Sequence, residues 1–181
     1  MTPAALTTER LVLRPPVPED LDRCAELLGD YEVAKMLTVV SHPYDLRAGR
    51  DFLAKAARGW ADWQNADELV FQIDREGQMI GCLSFGALQE TPRIGYWLGR
   101  PYWGKSYMSE AVRAAADWLF RNTDHALIVS RVMTENAASL TVMEKAGFRV
   151  VGDGTCQSLA RGRAMPAWRT ELSRADFYKG L

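Results

Sequence analysis

Two short stretches combine residue types and spacings that can do chemistry. The first is GRPYWGKS, Gly99 to Ser106, which matches the phosphate-binding pattern G-x-x-x-x-G-K-[ST] at every specified position. The second is NAASLTVMEKAGF, Asn136 to Phe148, where an amide and the Ser139 hydroxyl stand at the start of a helical pattern. A phosphate loop binds through backbone N–H groups, so its glycines and its bend matter more than its side chains. An Asn and a Ser at a helix start can hold a ligand atom, or they can simply cap the helix.

Three features stand against ATP as the ligand of the first stretch. An ATP loop uses small residues for close approach, whereas this loop holds Arg100, Pro101, Tyr102 and Trp103, and Pro101 has no N–H to give. The next apolar run, ALIVSRVM, ends without the carboxylate that helps to hold magnesium. Only 75 residues follow Ser106, little room for the rest of an alternating parallel-sheet domain. A different pyrophosphate suits the order strand, loop, long helix, because a helix start is an anion site whatever the nucleotide. The donors would be Trp103, Gly104, Lys105, Ser106, Tyr107 and Met108. The plain alternative is an ordinary strand-to-helix turn with a solvated Lys105.

The elements that must position these residues read as mixed α/β. RLVLRP is a first strand, with Leu11 and Leu13 on one face. PEDLDRCAELL opens a helix at Pro18, with Glu19 and Asp20 at its positive end. A second helix is predicted from near Asp45 to Gln64. ELVFQID and QMIGCLSFG are strands joined through REG, with Gly77 free to take positive φ. RIGYWLG leads into the loop, and SYMSEAVRAAADWLF shows the i, i+3, i+4, i+7 stripe of a helix. ALIVSRVM is a strand, Asn136 caps a short helix that Gly147 ends, and FRVVG and PAWRTEL close the chain as strands before a polar tail. No linker interrupts this order, so residues 1–181 are expected to form a single domain.

Composition limits the partners. The formal net charge is −1, which predicts no general attraction to nucleic acid or to an anionic membrane. No apolar run approaches the ~20 residues that span a bilayer. MTPAALTTERLVLRPP lacks a basic start followed by an apolar stretch, so no secretory leader is expected. Cys24, Cys82 and Cys156 are widely spaced and form no C-x-x-C pair; they read as reduced thiols of a cytoplasmic protein without a metal site.

Taken together, TERLVLRP and PED near the start, IGYWLGRPYWGKSYMSEA in the middle and NAASLTVMEKAGF near the end resemble the GNAT superfamily of acyl-CoA-dependent N-acyltransferases. The likeness is greatest to the branch of ribosomal-protein N-terminal acetyltransferases of the RimJ and RimL type, and it covers nearly the whole chain. It implies a mostly antiparallel sheet that splays before the loop. Acetyl-CoA would lie in the splay as co-substrate, with its pantetheine on the backbone around Tyr96, Trp97 and Leu98. The loop aligned with the family's [QR]-x-x-G-x-[GA] signature is Pro101 to Ser106. Pro101 stands where the signature has Gln or Arg, and Ser106 where it has Gly or Ala.

The resemblance also implies the chemistry. An acetyl group passes to a primary amine, on a protein N-terminus or a small molecule, in a monomer or homodimer. Asn136 contacts the cofactor near its acyl end. The residue that commonly protonates the sulfur, a Tyr just before EK, is here Met143, which cannot donate. Ser139 fits the branch's habit of placing a Ser three residues after the Asn. The strand position where relatives often carry a Glu base holds Arg93, which leaves Glu90, Asp20, His42 and His125 as base candidates. Trp60 and Trp63 are expected in the core, with the acceptor cleft within their reach and within that of Trp168. Arg93 and Met143 also suit a module that binds acyl-CoA without turnover.

Overall fold

The computed structural model describes residues 5–180. One eight-stranded sheet runs through them in the order β1-β2-β3-β4-β5-β6-β8-β7. The strands are β1 (Leu6–Thr7), β2 (Val12–Arg14), β3 (Leu69–Arg75), β4 (Gln78–Gly86), β5 (Arg93–Leu98), β6 (Leu127–Met133), β7 (Arg149–Ser158) and β8 (Arg163–Ser173). The helices are α1 (Asp20–Leu28), α2 (Tyr31–Ala34), α3 (Leu46–Ala61), α4 (Tyr107–Asn122), α5 (Ala137–Lys145) and α6 (Arg174–Lys179). Part of the stretch that argued against a leader, residues 1–4, lies outside the described residues.

Alternation along the strands sorts the core into two layers. Leu69, Phe71, Ile73, Leu83 and Phe85 share one cluster with Ala111, Val112, Ala115 and Leu119 of α4. On the other face, Val70, Cys82 and Trp97 pack against Ala56 of α3. Cys24, Leu27 and Leu28 of α1 join Leu53 of α3 and Met79. Each face of the sheet is thus covered by helices, and the two face sets are read directly from a period of two.

Local chemistry fixes the boundaries. The β3–β4 connection is two residues, Glu76 and Gly77, at φ of 52° and 78°, the mirror-image turn that suits the twist of a hairpin. Asp45 caps α3 by accepting from the N–H groups of Arg47 and Ala48. Asn136 caps α5 by accepting from Ser139 N–H, and Gly147 closes the turn after it at φ 95°.

Four stretches depart from the sequence reading, the shortest being β1, two residues that pair with β2 ahead of the strand read as the first. The four-residue α2 is too short for periodicity to reveal, and Asp30 caps it. The closing strands form a long hairpin of 10 and 11 residues rather than two short runs. The polar tail folds into α6, started by the Ser173 hydroxyl on Asp176 N–H and anchored by buried Phe177.

The feature that matters for chemistry is where the sheet splits. β5 pairs with β4 along its full length, from Arg93 opposite Gly86 to Leu98 opposite Gly81. It pairs with parallel β6 at one position, Arg93 opposite Val129. Val129 N–H still donates to the Pro92 carbonyl at 2.9 Å. One step further on, the Ser130 hydroxyl donates to the Ile94 carbonyl at 2.9 Å. A side chain there satisfies a carbonyl that a continuing ladder would have used, and beyond it the strands part.

Candidate active site

The open edge of β5 is made of backbone. The Pro92 and Ile94 carbonyls face β6. Gly99 N–H donates the opposite way, to the Ile80 carbonyl on β4. Peptide groups alternate along a strand, so the N–H and C=O of Tyr96 and the N–H of Leu98 lie on the split side. The Leu98 carbonyl is already occupied, since the Trp103 indole N–H donates to it at 2.8 Å. Tyr96 therefore offers a free donor–acceptor pair along a half-open strand, the arrangement that takes an amide-bearing chain as an added strand.

The loop that follows β5 begins with a 3-10 turn, Arg100–Tyr102, and bends into α4. Gly104 has φ 72°, and a side chain built on it would meet no protein atom within 4 Å. Its glycine answers to backbone conformation, not to packing. Ser106, directly before α4, is left-handed as well, at φ 60°. This is the signature position where Gly or Ala was expected. The structure adds that the serine there bears backbone strain and caps nothing with its side chain.

The donors of this loop are not all equal. Trp103 N–H donates to the Arg100 carbonyl at 3.2 Å, so the uncommitted set starts at Gly104. Gly104, Lys105 and Ser106 donate to nothing among the described residues, and Tyr107 and Met108 open a helix whose first N–H groups have no carbonyl to reach. Lys105 folds back, its Nζ donating to the Pro101 carbonyl at 3.0 Å. The loop carries a cation that its own sequence does not show. Arg10 donates from Nη1 to the Lys105 carbonyl at 3.1 Å and from Nε to Glu110 at 2.7 Å.

On the helical side of the split, the second stretch comes together with the first. The Tyr96 ring packs toward the α4 layer, and its hydroxyl lies 2.9 Å from Ser139 Oγ and 3.1 Å from the Ser139 carbonyl oxygen. Burial pushes the Tyr96 phenol up to about 12, although the hydrogen bond with Ser139 acts the other way. The hydroxyl therefore keeps its proton at neutral pH. Asn136 uses Oδ1 on Ser139 N–H at 3.1 Å, and its Nδ2 makes no hydrogen bond among the described residues. Met143, in the usual tyrosine position, is fully buried in the core.

The base candidates separate clearly. Asp20 is 5% exposed and locked into a bidentate pair with Arg14 at 2.7 and 2.9 Å, which leaves it structural. Glu90 sits in the exposed turn before β5, at the end of the strand away from the split. His125 is in the turn between α4 and β6, where its carbonyl accepts from Arg174. His42 packs against Tyr31 with the rings tilted and their centroids 5.1 Å apart. Arg93 shares the α1–α3 face with Trp97, is exposed, and has no hydrogen bond or ion pair among the described residues. Trp60 is 2% exposed and donates to the Val70 carbonyl at 2.6 Å, a core residue as expected.

A carboxylate missed in the sequence stands next to Asn136. Glu135 ion-pairs with Arg161 and lines an open cavity of about 520 Å³ with Tyr31, Lys35, Ala160 and Arg163. Only the position of Glu135 in the turn that delivers Asn136 hinted at it; its cavity partners come from α2 and the β7–β8 turn.

The acetyltransferase (GNAT) domain family matches residues 10–149. The chain belongs to that family. An uncharacterized N-acetyltransferase, p20, of Bacillus licheniformis is 29% identical over 95% of this chain and 97% of its own. The ribosomal-protein-S5-alanine acetyltransferase of Vibrio fischeri superposes with a TM-score of 0.82 at 19% identity, covering 97% of this chain and 99% of that one. The microcin C7 self-immunity acetyltransferase MccE, solved with acetyl-CoA and AMP, gives 0.78 at 18% identity over 92% and 93%. GNAT members transfer acetyl groups from acetyl-CoA, and this chain is similar to them along almost its whole length. No helix among the described residues is long and apolar enough to cross a membrane, and no group of His, Cys, Asp and Glu there is arranged to hold a metal.

Proposed function

We propose that this GNAT protein transfers the acetyl group of acetyl-CoA to a primary amine by direct attack on the thioester. The observation that carries the reading is the half-open edge of β5 running into a loop of uncommitted amides. In this arrangement the pantetheine pairs with Tyr96, flanked by Trp97 and Leu98. The pyrophosphate lies on the N–H groups of Gly104, Lys105, Ser106, Tyr107 and Met108, with Arg10 behind them. Trp103 shapes the bend through its indole bond to Leu98 rather than by donating its own amide.

The amine nitrogen forms a bond to the carbonyl carbon and the C–S bond breaks. One proton leaves the nitrogen and one goes to the sulfur. Asn136 Nδ2 is free to hold a carbonyl near the acyl end. Ser139 delivers the proton to the departing sulfur, and Tyr96 positions Ser139 from behind. No carboxylate occupies the Arg93 position, so the amine loses its proton to water or to Glu135, the residue before Asn136 and the one acidic side chain lining that open cavity. A high-activity acid at the sulfur typically contributes 10²–10⁴-fold.

Thiol release from acetyl-CoA in the presence of a panel of amines tests the reading. A melting-temperature rise with acetyl-CoA but not with magnesium ATP tests the loop separately, since a ligand at 100 times its Kd stabilises by about 2.7 kcal/mol. Binding of acetyl-CoA with no thiol release from any amine would refute the transferase reading.

A further inference from the structure

The open cavity lined by Glu135, the residue before Asn136, has a charge that the near-neutral chain conceals. Lys35, Arg161 and Arg163 line it, opposed by the single carboxylate of Glu135. Its walls are fixed. The Ser158 hydroxyl donates to the Lys35 carbonyl at 3.2 Å, and Leu159 N–H donates to the Thr38 carbonyl at 3.2 Å, so the β7–β8 turn is fastened to the end of α2.

Arg161 is the residue that needs a partner. Its side chain is 12% exposed, yet its Nε is buried with no hydrogen bond among the described residues. The other guanidinium nitrogens reach Glu135 and the sulfurs of Met165 and Met36, at 3.7 and 4.0 Å. Thioethers are weak acceptors, and a buried guanidinium normally finds oxygen for its fork of donors. Arg163 is exposed and unpaired among the described residues, and Lys35 is held only by Glu32, at 2.6 Å. The Nε is covered by protein, so an anion with two or more oxygens would pair with the terminal guanidinium nitrogens of Arg161, whose present contacts are two sulfurs and Glu135, and draw on the other two cations.

We propose that the acceptor amine carries an anionic group, a carboxylate or a phosphate, which docks on Arg161, Arg163 and Lys35 and so presents the nitrogen to the acyl end of the cleft. The proposal rests on the acetyltransferase reading and names its substrate class. Glu135 then serves the other end of the same molecule. Its charge attracts the acceptor ammonium, and the anion takes its place on Arg161. The two charges of the acceptor are matched by two opposite charges of the cavity, and an amine without an anion would leave Arg161 no better paired than before. The cavity is open to solvent and lined mostly by charged groups, which suits a compact charged acceptor.

The test compares amines that differ only in the anion: glycine against glycinamide, and O-phosphoethanolamine against ethanolamine, with rates expressed per unprotonated amine. A peptide with a free N-terminus is run alongside. The anionic member of at least one pair is expected to show a kcat/KM about ten- to a hundredfold above its neutral partner, the size of one charged hydrogen-bonded contact. Which pair responds tells carboxylate from phosphate. Arg161→Gln should remove most of that advantage while leaving the Kd of acetyl-CoA unchanged. Arg163→Gln, on an exposed side chain, reports the same effect more weakly if the first variant fails to fold. Equal use of charged and neutral partners, or an advantage untouched by both variants, overturns the proposal. Faster acetylation of the peptide than of every small anion also overturns it. If no amine releases thiol although acetyl-CoA binds, the transferase reading fails instead. Calorimetry with O-phosphoethanolamine then decides the anion site. Binding lost in Arg161→Gln upholds it, and no binding to the unmodified protein removes it.

Discussion

The Tyr96 hydroxyl stands 2.9 Å from the Ser139 hydroxyl and ties β5 to α5. One residue comes from the strand on one side of the split, the other from the helix that continues the strand on the far side. Ser139→Ala is expected to lower kcat about 100-fold or more with little change in the Kd of acetyl-CoA, because an acid acts in the transition state. Tyr96→Phe should lower kcat less. In the double variant the losses should not add, since the two hydroxyls work as one unit. Additive losses in that cycle would show that they act separately.

The loop makes opposite predictions at its two left-handed positions. Ser106 at φ 60° carries a strain of about 1–2 kcal/mol that glycine would relieve, less about 0.5–1 kcal/mol for the freer unfolded chain. Ser106→Gly should therefore raise the melting temperature by roughly 1–4 °C. Gly104→Val adds both strain and a side chain where the ligand's pyrophosphate would approach. It should weaken acetyl-CoA binding strongly in a protein that still folds. Undiminished affinity in that variant would sink the loop assignment.

Asp20 offers a clean separation of stability from catalysis. It accepts from Arg14 twice and from Val17 N–H at 2.9 Å, almost wholly buried. Asp20→Ala leaves Arg14 paired with Asp74 at 2.6 Å but strands the Val17 N–H and half of the guanidinium fork, and should cost about 1–3 kcal/mol, read as a lower denaturation midpoint. The folded fraction should keep its kcat. A selective loss of kcat with stability unchanged would reinstate Asp20 as a base.

Alkaline pH should unfold the protein progressively. Burial pushes Cys24, Tyr44 and Tyr96 each up to about 12, from ordinary values of 9.0, 10.0 and 10.0. A group whose pKa is higher in the folded state holds its proton better there. Its stability contribution is whole below the unfolded pKa and is lost as pH climbs to the folded one. Denaturant midpoints are expected to be level up to about pH 9, then to fall toward pH 12. Tyr96→Phe should make the fall above pH 10 shallower. An unchanged slope in that variant would show that Tyr96 ionises as freely folded as unfolded.

Much of this was readable because some elements state their purpose in residue types. The stripe of α4 from Met108 to Phe120 is fully buried, the pattern a helix must show on one face. Asn136 and Gly147 mark both ends of α5. What escaped was set by pairing at a distance. The Trp103 indole on the Leu98 carbonyl, Arg10 on the Lys105 carbonyl and the Tyr96–Ser139 contact all join residues whose types suit many other partners. The cavity was hidden most completely. Lys35, Glu135 and the β7–β8 hairpin end that carries Arg161 and Arg163 are far apart in the chain, and a balanced net charge gave no sign that three cations would meet. The long β7–β8 hairpin also broke its expected pattern, because β7 is an edge strand and exposes Val150 and Val151.

A strand edge that offers amides is blind to the side chains it carries. The N–H and C=O of Tyr96 would survive replacement of tyrosine by any residue except proline, which lacks the donor. Two independent demands therefore meet in β5. Its side chains answer to the helical layers on either face, while its open edge needs only to stay extended and unpaired. Mutational drift along the strand can rewrite the residue types and leave the edge intact. Descendants of such a strand would share a ligand long after they had ceased to share an alphabet.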